Sequence, residues 1–206
     1  MKLSPSLLIV LIALFSTTSS APCPAQDLPA AERDAGFVAL FNGKDFTGWQ
    51  FNGGPSPPTE LPANWKVEDG VIKVTGGGSP HLGSEKAYGN FELRLEWRGV
   101  KAPYNSGLYI RSGKKVGSNQ LNLAHKSEGN PVGAKLPGAK AAGDLQKPAG
   151  EWNEWRVIAQ GEKLTLYCND KLAWEATGFT PAEGHIGMQA EGAVMEFRNI
   201  RLREIK

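Results

Sequence analysis

"FELRLEWRGVKAPYNSGLYIRSG", residues 91–113, opens with a strict period of two. Phe91, Leu93, Leu95 and Trp97 fall on one side, and Glu92, Arg94, Glu96 and Arg98 fall on the other. That is the pattern of a strand with one face in a core. The charged side is either a solvated outer surface or the lining of a polar groove. The rest of the chain has to be read against those two alternatives.

Outward from this strand, short alternating runs separated by turn residues continue in both directions. They are "WKVEDGVIKV" (65–74, a hairpin turning at Asp69-Gly70), "GLYIRS" (107–112), "NQLNLAH" (119–125) and "EWRVIAQ" (154–160). "KLTLYCND" (163–170), "KLAWEA" (171–176), "HIGMQA" (185–190) and "VMEFRNIRLREI" (194–205) follow, with a turn at Asn169-Asp170. The body carries no 3.6-residue apolar stripe, and it holds most of the 25 Gly and 14 Pro. The fold class is therefore all-β, a sandwich or jelly roll of two antiparallel sheets. "TGGGSP" (75–80) reads as a turn and not as a phosphate loop, because no helix follows it. The long irregular stretch 126–150, with its lysines, reads as a rim or lid.

The first 25 residues carry Lys2, the apolar run Leu7–Phe15 and then small polar residues, the pattern of a secretory signal peptide. Cleavage after Ala25 predicts a mature chain beginning near Gln26, exported to the periplasm or medium, with no membrane attachment. Pro22 speaks against a lipid anchor at Cys23. Residues 26–36 form a polar lead-in with room for one helical turn, and 37–206 form a single domain. Loss of Lys2 leaves basic and acidic residues nearly balanced, and with no basic stripe nucleic acid is not an expected partner. Cys168, in phase with Leu164 and Leu166, reads as a buried thiol. Trp49, Trp65, Trp152 and Trp155 read as packing residues.

Parity sorts the polar residues of the other strands. Leu108, Ile110, Leu121, Leu123, Ile186 and Met188 point inward, which leaves Tyr109, Arg111, Gln120, Asn122, Gln189 and Glu191 outward. If these strands are neighbours, one face collects Glu96, Arg111, Gln120, Asn122, Gln189 and Glu191. Amides donate and accept from one group, which suits sugar hydroxyls, and Tyr109 offers a ring for stacking. An Arg111–Glu96 ion pair and a turn role for Glu191 or Asn105 remain alternatives. His81, His125 and His185 lack the spacing of a metal site, so no cofactor and no metal ligands are assigned; a carboxylate–amide cation site stays open.

"GFVALFNGKDFTGWQ" (36–50), "WKVEDGVI" (65–72), "AYGNFELRLEWR" (87–98), "NSGLYIR" (105–111), "PAGEWNEWRV" (148–157) and "GHIGMQAEGAVMEFRNIRL" (184–202) occur in this order. Together they resemble the 3-keto-disaccharide hydrolase domain family. The resemblance implies a concanavalin A-like jelly roll in exported bacterial proteins that act on glycosides, some oxidised at sugar C3. Two motifs depart from the family pattern. A Glu-x-Gln strand is replaced by Gln120-Leu121-Asn122, and Gln-x-His-Gly by Gln189-Ala190-Glu191-Gly192.

A ketone at C3 acidifies the C2 proton, and loss of that proton lets the glycosidic oxygen leave from C1. Such chemistry needs a base and a donor for the enolate oxygen. On this sequence Glu191 or Glu96 is the candidate base and Arg111 the candidate enolate donor. Gln120, Asn122, Gln189, Asn105, Tyr109 and Lys135 are then the substrate-binding set. A carboxylate of ordinary acidity is a weak base, so burial is expected to raise it. Two-carboxylate hydrolysis by Glu96 and Glu191 is the other enzymatic route. The expected function is cleavage of glycosides, 3-keto-glycosides among them. The alternative is a non-catalytic carbohydrate-binding or cell-surface module that uses the same groove.

Overall fold

The computed structural model describes residues 28–133, 136–140 and 144–206. The expected signal segment, Cys23 and Lys135 lie outside these residues. A short helix, α1 (Ala30–Asp34), is followed by β1 (Val38–Ala39), β2 (Trp49–Phe51), β3 (Trp65–Glu68), β4 (Val71–Thr75), β5 (Leu82–Tyr88), β6 (Phe91–Gly99) and β7 (Gly107–Ser112). Then come β8 (Gln120–Asn122), β9 (Pro131–Val132), β10 (Asn153–Gln160), β11 (Lys163–Cys168), β12 (Lys171–Ala176), β13 (Gly184–Met188) and β14 (Val194–Glu204).

Two antiparallel sheets form. One has the order β12-β11-β10-β6-β14-β4-β3, with β1 paired to the far half of β14; the other has the order β2-β5-β13-β7-β8-β9. Consecutive strands β5, β6 and β7 alternate between the sheets, so the all-β jelly-roll expectation holds. The two hairpins read from sequence are present. Asp69 and Gly70 have φ of 51° and 76°, and Asn169 and Asp170 have 50° and 64°. Left-handed conformation at both central residues gives the turn whose twist matches the strands.

The core lies between the sheets. Phe91, Leu93, Leu95 and Trp97 of β6 are 0% exposed, and they meet Leu108, Ile110, Ile186 and Met188 of the opposite sheet in one cluster. Each such side chain contributes about 1.5–3 kcal/mol on burial. Trp49, Trp65 and Trp155 are core residues as expected. Trp152 packs at the edge, outside the core, with the Arg98 and Arg198 guanidinium groups 4.6 and 4.0 Å from its ring centroid.

Strand β5 was not legible as a strand. Its buried pattern is broken by Gly83 and Ser84, so no apolar alternation marks it. The 126–150 stretch is tied down where it is described. The buried Glu128 carboxylate accepts the backbone N–H groups of Leu145 and Gln146, and Gln146 accepts from the Tyr104 hydroxyl at 2.9 Å.

The charged side of β6 faces outward on the larger sheet and is a lattice of ion pairs. Glu92, 3% exposed, accepts from Arg94 and Arg203. Arg98 pairs with Glu196. Helix α1 is too short to be stable alone. It docks on this face through Glu32, which accepts from Arg201 at 2.6 Å and Arg94 at 3.4 Å. The row of charges in "FELRLEWR" is therefore an outer surface that seats the N-terminal helix.

Candidate functional site on the six-stranded sheet

The outer face of the smaller sheet has a different character. A single cross-strand row runs Gln50, Gly83, Gly187, Tyr109, Gln120, Val132. Its second and third positions are glycines, and Val116 of the β7–β8 connection lies on them. A Cβ at Gly83 or Gly187 would sit 3.0 or 2.9 Å from the Val116 side chain. Val116 holds φ of 38°, a costly conformation for a β-branched residue. The wall beside Tyr109 is thus built at some expense in backbone strain.

One row further along, Gln189, Gly107 and Asn122 lie side by side. The Gln189 N–H donates to the Gly107 carbonyl, and Gly107 is the register partner of Asn122. The Gln120 amide donates to the Gln189 side-chain oxygen at 3.0 Å. It does so by crossing Gly107, where a Cβ would meet the Gln120 side chain at 2.4 Å. The glycine is required there for a close approach, not for a turn.

Beside this amide pair stands His81, on the residue preceding β5. Its ring centroid is 5.3 Å from that of Tyr109, and its Nδ1 accepts the Ala190 backbone N–H at 3.3 Å. Burial lowers the His81 pKa, against the opposing pull of the Glu191 carboxylate. Burial, helped by the same carboxylate, pushes the Tyr109 hydroxyl up to about 12. Glu191 is therefore electrostatic neighbour to both rings. His81, Gln120, Asn122, Gln189 and Glu191 are all half-buried, and Asn105 is exposed at the entry to β7.

The structure separates the set read from sequence. Gln120, Asn122, Gln189 and Glu191 do share one face. Tyr109 shares it too but is only 2% exposed, so it forms the floor beneath His81 and not an open stacking platform.

Glu96 is on the outer face of the other sheet, where it accepts from Arg198 at 2.7 Å and from Asn199. The sandwich lies between Glu96 and Glu191, so the expected grouping of Glu96 with Arg111 and Glu191 is corrected. Parity gave each side chain a face but not a sheet.

Arg111 is also corrected. It is 1% exposed and donates to the carbonyls of Gly89, Gly161 and Pro181 and to the Asn90 side chain. These acceptors are all neutral, so Arg111 is a structural clamp between loops and neither the Glu96 partner nor an enolate donor. Its φ of 45° bulges β7, and Gly184 passes so close that a Cβ would lie 2.4 Å from the Arg111 backbone.

Sequence reading missed His81. Its only signal was a lone histidine ahead of a strand that carries no alternation. Among the described residues no group of three or more His, Cys, Asp or Glu side chains converges as a metal site.

A two-sheet antiparallel sandwich with this strand exchange is a concanavalin A-like jelly roll. The chain belongs to the 3-keto-α-glucoside-1,2-lyase-like domain family, whose sequence pattern matches residues 36–203. It is 28% identical to a 3-keto-disaccharide hydrolase of Bacteroides thetaiotaomicron, over 87% of this chain and 84% of that protein. Its fold is similar to a Parabacteroides distasonis protein provisionally described as a glycosyl hydrolase, with TM-score 0.70, 23% identity, and 87% and 99% of the two chains covered. It is also similar in fold to the carbohydrate binding module CBM66 from Bacillus subtilis, with TM-score 0.58, 15% identity, and 78% and 98% covered.

Proposed function

We propose that this protein is exported and cleaves 3-keto-glycosides by elimination on the outer face of its six-stranded sheet. The observation that carries this reading is the convergence of one carboxylate, Glu191, with His81 and the linked amides of Gln120 and Gln189. The family membership and the named Bacteroides relative support the substrate class.

Glu191 removes the C2 proton. The C2–H electron pair forms the C2=C3 bond while charge passes to the C3 oxygen. Collapse of that enolate re-forms the ketone and makes C1=C2, expelling the glycosidic oxygen, which takes a proton. Water then adds across C1=C2, so the net change is hydrolysis. Gln120, Gln189 and Asn122 offer donors and acceptors to sugar hydroxyls. Two-carboxylate hydrolysis using Glu96 is not proposed, because Glu96 faces away on the other sheet.

A second reading, binding without turnover, draws on Gln120-Leu121-Asn122, a strand of the site whose polar side chains are both amides. Incubation with 3-keto-glycosides and their unoxidised parents, with and without a chelator, separates the readings. Aglycone release from the keto form alone supports elimination. Binding of either sugar without release supports the module reading.

A further inference from the structure

The geometry points to His81 as the group that holds the ketone oxygen, acting as a neutral imidazole that donates from Nε2–H. This rests on the reading that the substrate carries a ketone.

The tautomer follows from one hydrogen bond. Nδ1 of His81 accepts the Ala190 N–H, so in the neutral ring the proton resides on Nε2. The ring is fixed on its other sides as well. The Tyr109 ring packs against it, and the backbone of residue 81 is joined to Asn52 by two hydrogen bonds, from His81 N–H to the Asn52 side chain and from Asn52 N–H to the His81 carbonyl. Its half-buried position also keeps the ring neutral, since burial disfavours the imidazolium.

Glu191 directly follows Ala190. The backbone that sets the imidazole tautomer therefore also carries the carboxylate that takes the proton. A fixed donor in the electrostatic reach of a carboxylate suits proton abstraction next to a carbonyl. The enolate oxygen gains a hydrogen bond at the moment charge reaches it, and no proton need leave the ring. Arg111, the donor expected from sequence, is buried among carbonyls and does not supply this bond.

The first test is 15N NMR of the imidazole in the full protein. The expected result is an unprotonated Nδ1 and a protonated Nε2 at neutral pH. An imidazolium, or the opposite tautomer, overturns the proposal.

The second test compares kcat and KM on a 3-keto-glucoside for His81→Phe and His81→Gln. Loss of one oxyanion donor lowers kcat by about 100-fold in His81→Phe with KM little changed, and His81→Gln recovers part of it. Wild-type kcat in a folded His81→Phe overturns the donor role while leaving the elimination reading standing. A wild-type protein inert toward every keto sugar overturns both.

Discussion

Gln120 reaches Gln189 across the bare backbone of Gly107, an amide–amide hydrogen bond of 3.0 Å that joins β8 to the residue following β13. The bond presets both amides, so neither must be ordered when a sugar arrives.

Gly107→Ala is therefore predicted to break the site before it breaks the fold. The new methyl displaces the Gln120 side chain from Cγ outward, and its three nearest neighbours are all atoms of that flexible side chain, so stability falls by about 1 kcal/mol. Sugar affinity, read by calorimetry, falls far more than the denaturation midpoint. Gly184→Ala is the contrast. Its methyl meets the Arg111 backbone, and a folded, stable Gly184→Ala would contradict the packing described.

Arg111→Ala is predicted to cost about 3 kcal/mol, because it leaves the carbonyls of Gly89, Gly161 and Pro181 without their donor. Activity per folded molecule is expected to survive. Urea unfolding together with turnover at low temperature checks both halves, and a stable but inactive variant would return Arg111 to the chemistry.

Much of this fold was legible because β6, β10 and β14 alternate and two turns carry left-handed pairs. What parity does not encode is which sheet a strand joins. Glu96 and Glu191 look equivalent in sequence and end on opposite outer faces. Arg111 reads as outward by parity, yet its strand bulges there and loops cover it. His81 escaped because β5 uses Gly83 and Ser84 where an apolar pattern would have flagged a strand. Gly83 and Gly187 also leave the space that Val116 fills.

Glu92 predicts an acid-sensitive stability. Burial alone would raise its pKa, but the hydrogen bonds and charge attraction of Arg94 and Arg203 together outweigh burial and hold it below the ordinary carboxylate value. A carboxylate lowered in the folded state stabilises above its unfolded value, and that stabilisation is lost as pH falls through the folded value. Glu92→Gln should cost about 2 kcal/mol at neutral pH, since the arginine partners can re-solvate. The gap to wild type should begin to narrow as pH falls below the ordinary carboxylate value and close only once pH has fallen through the lower folded value. A gap that is constant with pH would refute the assignment. Glu68, pulled down to about 2 by Lys66 and Lys73, is exposed and adds little to this profile.

Cys168 should be inert in the folded protein. Burial, with Glu128 beside it, pushes the thiol up to about 12, far from the reactive thiolate range. Its labelling by a thiol reagent should proceed only as fast as the protein unfolds. Rapid labelling under native conditions would show that the packing over Cys168 opens on its own.

The most direct measurement is the initial rate of aglycone release from a 3-keto-glucoside by Glu191→Gln, beside wild type and Glu96→Gln. Release by wild type and by Glu96→Gln, and none by a folded Glu191→Gln, is the predicted result. Release by Glu191→Gln at the wild-type rate, or its loss only in Glu96→Gln, would place the chemistry elsewhere and contradict the site.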